Sequence, residues 1–324
     1  MRLLFELNKS PVGRMLAQIL SSRGGGTCLC VIGVMCWFHG TATAQEMTPR
    51  AYWPAPYGTK LVGLGYGYQT GDIVTDPSLP LVGVDSTIHN GTVFYQQTIS
   101  LAGRTTNVQF EVPYVDGTTK GTFEGQPASA NVSGLGDVRA TIAVNLVGAP
   151  SMTGEEFQAF RQNPKPIVAT SLKVVAPTGE YEADKLVNVG TNRWAAKIKL
   201  GYLQPMPKKT VLELAAGVWF FEDNDEFLGT TREQQPLTAL DLHLVKRFRP
   251  GFWGSIDANY YFGGRTTVGG TERADFQRNS RLGVSLVYPF KRRHAVKVSF
   301  SGGLVTESGG DYNTLVLNYF YRLE

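Results

Sequence analysis

All three cysteines of the chain, Cys28, Cys30 and Cys36, lie within its first 44 residues. The remainder has none, which excludes disulfide staples and thiol chemistry there. Long apolar runs are missing too. No stretch reaches the ~18 residues that a membrane helix needs, so any crossing of a bilayer has to use strands. Charge is sparse, at 18% of residues. Beyond residue 44 only His89, His243 and His294 carry imidazole, and none is spaced as a metal ligand pair. There is no G-x-S-x-G elbow, no H-E-x-x-H and no phosphate-binding loop. These absences predict a chain without catalytic residues, metal or cofactor. The acidic cluster Glu222, Asp223, Asp225 and Glu226 offers oxygen ligands but lacks the spacing of a calcium loop, and reads as a solvated loop.

What the first 44 residues do contain is the pattern of a secretion signal. Arg2, Lys9, Arg14 and Arg23 form a basic region with Glu6 as its single acid, Cys28 to Phe38 is a short apolar stretch, and Ala42-Thr43-Ala44 is an A-x-A cleavage site. The expected division is therefore a signal peptide over 1–44 and one domain over 45–324. Removing four basic residues and one acidic residue from totals of 31 and 27 leaves 27 against 26. The formal charge of +4 is thus mostly targeting charge and gives no reason to expect a nucleic-acid partner.

The domain is dominated by alternation. In Arg193 to Tyr202, Trp194, Ala196, Ile198, Leu200 and Tyr202 share one face, opposite Arg193, Lys197 and Lys199. After the turn L-Q-P-M-P-K-K-T, Leu212, Leu214, Ala216, Val218 and Phe220 share a face opposite Glu213 and Gly217. Period two means strand, and each run of about ten residues is long enough to cross a bilayer when tilted. Aromatic side chains end the greasy faces, as a membrane interface favours. The same unit recurs at 60–69, 92–102, 106–115, 135–147, 167–176, 237–248, 252–262, 281–289, 295–305 and 314–323, giving about twelve strands. The stretches 70–91, 116–133, 177–191, 222–235 and 263–277 read as long loops, and most of the intervening turns are short. The pattern predicts an all-β transmembrane antiparallel up-and-down barrel. One segment breaks the parity: 148–165 is long where a short turn is due, and Thr153 to Arg161 is suited to a short helix ended by Pro164. A soluble sandwich or propeller also alternates, but needs neither such long strands nor aromatic ends.

Several short motifs then carry a resemblance. They include S-G-L-G-D at 133–137, N-L-V-G-A-P at 145–150, V-A-P-T-G-E-Y at 175–181, N-V-G-T-N-R-W at 188–194, F-E-D-N-D at 221–225 and G-G-R-T-T at 263–267. In this order they resemble the outer-membrane barrels named after the MetA pathway of phenol degradation. The resemblance implies a Gram-negative outer-membrane channel for passive uptake of small aromatic or hydrophobic molecules. Its partners would be outer-membrane lipid, the solute and, during biogenesis, the barrel assembly machinery. One departure is the ending Y-F-Y-R-L-E, where an assembly signal usually ends in an aromatic residue.

In such a barrel the residues opposite the greasy faces line the lumen. The candidates are Glu111, Arg139, Lys173, Arg193, Lys197, Lys199, Glu213, Asp241, His243, Arg247, Asp257 and Arg281. Basic residues outnumber acidic ones, which suits a lumen that favours anions such as aromatic carboxylates. The competing expectation is that these charges pair across strands and fill the barrel, with Lys199 opposite Glu213. Two other functions stay open on the sequence: a structural or adhesive barrel acting through its external loops, and a lipid hydrolase built on His243 and a nearby serine.

Overall fold

The computed structural model describes residues 46–76 and 81–323; the expected signal segment and its cleavage site lie outside them. In chain order the elements are β1 (Lys60–Val74), β2 (Leu81–Leu101), β3 (Arg104–Phe123), β4 (Gln126–Leu135), β5 (Arg139–Val147), α1 (Gly154–Gln162), β6 (Ile167–Val175), β7 (Ala195–Met206), β8 (Thr210–Phe221), β9 (Asn224–Phe227), β10 (Thr230–Gln234), β11 (Leu237–Arg249), β12 (Phe252–Gly263), β13 (Thr266–Val268), β14 (Thr271–Glu272), β15 (Gln277–Lys291), β16 (His294–Val305) and β17 (Gly309–Arg322).

Thirteen of the strands form one sheet in which β1 pairs with both β2 and β17, and β2 with β3. The sheet is therefore closed. β4 and β5 both pair with β3, one beyond the other, through Tyr114↔Leu135 and Glu111↔Arg139. They are two halves of one position, interrupted at 136–138, so the barrel has twelve positions. All neighbours are antiparallel. Closure matters because an open edge in hydrocarbon would leave a row of unpaired N–H and C=O groups.

The alternation decides which face is which. Among the described residues forty large apolar side chains are exposed, including Leu64, Phe110, Leu200, Leu242, Ile256 and Leu286, while their sequence neighbours are buried or half-buried inside. A water-soluble protein does not expose so continuous a belt, whereas a barrel in lipid needs one. Aromatics ring both rims. At the short-turn end, Phe248, Phe252 and Tyr288 form one cluster, and Phe290, His294, Tyr319 and Tyr321 another. At the long-loop end, Tyr66 and Tyr68 flank His89, and Tyr260 packs on Phe262.

Two expected loops turn out to be strand. Residues 70–91 and 116–133 mostly continue β1, β2, β3 and β4 beyond the membrane belt, and β3 turns into β4 through Glu124 and Gly125, both with positive φ. Such a two-residue turn matches the twist of a hairpin. These stretches are rich in Thr, Gly and Asn because their outward face meets water instead of lipid, while Ile73, Leu81, Val84 and Phe123 stay buried on the other side. Parts of 222–235 and 263–277, likewise expected as loops, form a second sheet in the order β14–β13–β10–β9 at the long-loop end. The parity-breaking segment is a helix. α1 opens with a capping box in which Thr153 N donates to Glu156 Oε2 at 2.7 Å and Glu156 N to Thr153 Oγ1 at 3.3 Å.

Replacing Ile256, 62% exposed in the middle of β12, with arginine tests the lipid-facing assignment directly. It is expected to destabilise the barrel by about 2–4 kcal/mol, read as a lower midpoint in a urea titration in lipid vesicles. A change below ~0.5 kcal/mol, as for an ordinary water-exposed site, would contradict it.

Candidate functional site

The lumen is organised by a segment that the alternation could not place. Residues 46–59 precede β1 and run inside the barrel, with Glu46 deepest toward the long-loop end and Trp53 near the short turns. Glu46 is gripped first. Lys173 Nζ donates to both of its carboxylate oxygens at 2.7 Å, and Arg139 Nη1 lies 3.7 Å from Oε1. Glu111 completes the cluster, 3.8 Å from Arg139 and 3.9 Å from Lys173. Burial works to raise the Glu46 carboxyl, but the cations Lys173, Lys197 and Arg139 together outweigh it and hold it at about 2, against an ordinary 4.5.

The rest of the segment is fastened along the wall. Lys199 Nζ donates to Thr48 Oγ1 at 3.2 Å and to Asp241 Oδ2 at 3.1 Å. Arg50 turns the chain with a positive φ, its N–H donating to Glu213 Oε2 at 2.7 Å and its guanidinium lying 4.9 and 5.0 Å from the rings of Trp53 and Trp253. Burial, the largest influence, lowers the Arg50 guanidinium to about 10. Tyr52 shares a 2.9 Å hydrogen bond with Ser171 and lays its ring where a Cβ on Gly201 would stand. Gly283 likewise makes room for Met47, whose sulfur would be 2.6 Å from an added Cβ. Tyr52 and Trp53 then join Ile167, Leu203, Val211 and Val245 in an apolar core, with Phe157 and Phe160 of α1 packed against it. Arg247 lies over Trp53 at 4.7 Å and donates to the Arg161 carbonyl at 3.1 Å.

This packing uses one half of the wall. Beside the segment, along β1, β2, β16 and β17, a chamber of about 650 Å³ remains, lined by Gln96, Asn107, Thr314, Asn318, Phe94 and Phe320 among others. A second chamber of about 160 Å³ lies toward the long-loop end, between the wall and the loops, lined by Ile73, Ile88, Val115, Trp219, Phe221, Leu237 and Tyr312 together with Arg193 and Arg232. Gln69, Arg139 and Tyr312 border both. Arg139, and through it Glu46, therefore stands where the two spaces meet.

The twelve residues singled out from the sequence all lie on the inner side of the barrel or at its mouth. Lys197, Lys199, Glu213, Asp241, His243, Asp257 and Arg281 are buried on inner strand faces. Glu111, Arg139 and Lys173 form the Glu46 cluster, and Arg247 sits at the short-turn end. Arg193 is not on a strand, since β7 begins at Ala195; it reaches into the outer chamber from the preceding loop. The expected facing of Lys199 and Glu213 is incorrect. The tight turn at Lys208 and Lys209 sets Lys199 opposite Gly217 and Glu213 opposite Leu203. Lys199 instead bridges to Asp241.

Asp257 Oδ1 accepts from His243 Nδ1 at 2.8 Å, and the hydroxyls of Ser255 and Ser285 both donate to Asp257 Oδ2 rather than to the imidazole. That is a network holding the wall together, without the serine–histidine hydrogen bond of an activated nucleophile. Sequence reasoning missed Glu46, Arg50, Tyr52, Trp53 and Arg232. The lead-in T-P-R-A-Y-W-P-A-P-Y did carry a signal, since a solvated linker seldom holds three large aromatics in six residues.

Comparison with known proteins follows this geometry. The profile of a family described as "Putative MetA-pathway of phenol degradation" matches residues 67–319. Among solved structures, the COG4313 outer membrane channel from Pseudomonas putida F1 superposes with a TM-score of 0.73 at 22% identity, covering 86% of this chain and 100% of that one. The β domain of the Bordetella autotransporter BrkA gives 0.48 at 13% identity, covering 82% and 100%. The TodX monoaromatic hydrocarbon channel gives 0.46 at 9%, covering 83% and 90%. The first likeness supports the barrel fold; the other two superpose too loosely to carry an argument. No curated protein has a significantly similar sequence.

Because the folded value of Glu46 lies below its unfolded one, its hold on the lumen is complete above pH ~4.5 and lost as pH falls through about 2. Conductance in planar bilayers is expected to stay low and constant from neutral pH down to that window, then rise. Glu46→Gln leaves Lys173 without its closest partner, at a cost of about 3 kcal/mol, and is expected to raise conductance already at pH 7. Equal conductance of the two proteins at pH 7 would show that Glu46 does not hold the segment.

Proposed function

This chain belongs to the family of the MetA pathway of phenol degradation, and we propose that it is an outer-membrane channel for passive uptake of small aromatic molecules. The observation that carries the reading is the outer chamber. Its volume of about 160 Å³ and its apolar and aromatic lining suit a single substituted ring. Apolar cavities of about 150 Å³ bind benzene without needing water in them. The long-loop end faces the outside, so this chamber is the first space that a solute meets. The larger, more polar chamber beside the N-terminal segment lies beyond it and supplies the way down the barrel, with the Glu46 cluster at the junction. On this reading the inner-face residues Glu111, Arg139, Lys173, Lys197, Lys199 and Arg281 line the route, while Glu213, Asp241, His243, Arg247 and Asp257 fix the segment and the wall that bound it.

The paired state of most lumen charges argues against a strong field along the whole route. Lys199 with Asp241, and Lys173 and Arg139 with Glu46 and Glu111, each neutralise locally. Selection by shape and apolar contact in the outer chamber then dominates over long-range steering. The test is uptake of labelled benzyl alcohol by a porin-deficient Gram-negative host producing the protein, against a sugar alcohol of similar mass. Benzyl alcohol is expected to enter several-fold faster than in the empty host, and the sugar alcohol not to. Val115→Trp, which fills the outer chamber, is expected to return uptake to background. Equal acceleration of both solutes, or none of either, would refute the reading.

A further inference from the structure

The outer chamber holds more buried donor capacity than the protein itself uses. Arg193 is 5% exposed and Arg232 7%, and both border the chamber. Arg193 Nη2 donates to Gln234 Oε1, but its Nη1 has no acceptor in the protein. Neither does Nε of Arg232, nor the indole Nε1 of Trp219, which lines the same space. Three buried N–H groups of residues that border this chamber therefore lack a protein partner. Buried polar groups are normally satisfied, and an orphan beside a cavity points to what the cavity takes.

The nearby carboxylates are committed elsewhere. Asp137 accepts from the backbone of Gly179 and Thr191 and from the Thr191 hydroxyl, all at 2.7–2.9 Å. Asp275 accepts from the backbone and hydroxyl of Thr266 at 2.9 and 2.6 Å. They order the loops over the mouth and do not pair with either guanidinium. Burial first, then the proximity of Arg232, lowers Arg193 to about 9, and burial lowers Arg232 to about 10; both stay protonated at neutral pH. Two cations are thus held close together beside a largely apolar space, with Asp137, Asp223 and Asp275 near enough to offset part of their charge but none of them ion-paired with either guanidinium. Beside them lies a ring-sized surface. Trp219 and Phe221 are stacked at 6.2 Å and 11°, and Arg193 already sits 4.7 Å over Phe221.

We propose that the outer chamber is a binding site for a monoaromatic carboxylate, its ring against Trp219 and Phe221 and its carboxylate between Arg193 and Arg232. A carboxylate brings about four lone-pair sites in one plane, enough to accept from Arg193 Nη1, Arg232 Nε and the Trp219 indole together. A neutral aromatic alcohol fills the same volume but satisfies at most part of this set. An aliphatic carboxylate meets the cations but not the stacked rings. This inference rests on the channel reading and narrows its substrate class.

The experiment is calorimetric titration of the detergent-purified full chain with benzoate, benzyl alcohol and acetate, alongside cellular uptake of the first two. Benzoate is expected to bind at least about tenfold more tightly than either control. Arg193→Gln and Arg232→Gln are each expected to weaken benzoate by about tenfold and benzyl alcohol by clearly less, and Arg193→Lys to recover part of the benzoate loss. Heat-dependent gel mobility reports whether each variant still forms the barrel, and Arg232 lies outside the barrel wall, so at least one variant separates charge from folding. Benzoate binding no better than acetate or benzyl alcohol overturns the site while benzyl alcohol uptake leaves the channel reading standing. Tight benzoate binding without uptake of either solute supports the site and removes the channel reading.

Discussion

Every backbone N–H and C=O in the bilayer has to find a partner within the protein, and the pairing of β1 with β17 is where this chain meets that demand. Fourteen residue pairs run from Leu61↔Arg322 to Val74↔Gly309 and join the two ends of the sheet. Once they are made, there is no open edge within the membrane belt, each membrane-crossing strand has one face to lipid and one to the lumen, and the period-two pattern fixes which residue goes where. The exposed apolar belt and the aromatic rims follow from closure.

The inward face then poses an electrostatic problem. A dozen ionisable groups are enclosed in a space too narrow to hydrate them freely, and a buried charge without a partner costs several kcal/mol. The wall solves part of this internally, as Lys199 does with Asp241 and as the hydrogen bonds of His243, Ser255 and Ser285 do for Asp257. The Arg139, Lys173 and Glu111 group has two cations to one wall carboxylate, and Glu46 supplies the second. The N-terminal segment is thus both a plug for one half of the lumen and a counter-charge for the wall. The same logic makes Arg193 and Arg232 stand out, because their neighbouring carboxylates are spent on ordering loops.

The strands crossing the membrane were legible because lipid on one side and a polar lumen on the other impose strict alternation, as in β7, β8, β11 and β12. Strand continuations beyond the belt were not. In β2 and β3 past Gly91 and Val115 the outer face meets water instead of lipid, so Thr, Gly and Asn serve there, and although Leu81, Val84 and Phe123 are buried on the inner side the apolar period fades. The helix at Gly154–Gln162 was readable from its own capping residues, a local signal. The facing of Lys199 and Glu213 was misjudged because a two-residue difference in where a turn closes moves every pair along the hairpin.

The sequence by itself determined the barrel: its strand pattern, its two faces and the inward placement of its strand charges. These are properties of each strand alone, written at period two. Only the tertiary structure decided which charges pair, that residues 46–59 fold back into the lumen, and that Arg193 and Arg232 border one chamber with Trp219 and Phe221. Those contacts join residues distant in the chain, and nothing local encodes them. They exist because closure of the sheet brings opposite walls within side-chain reach.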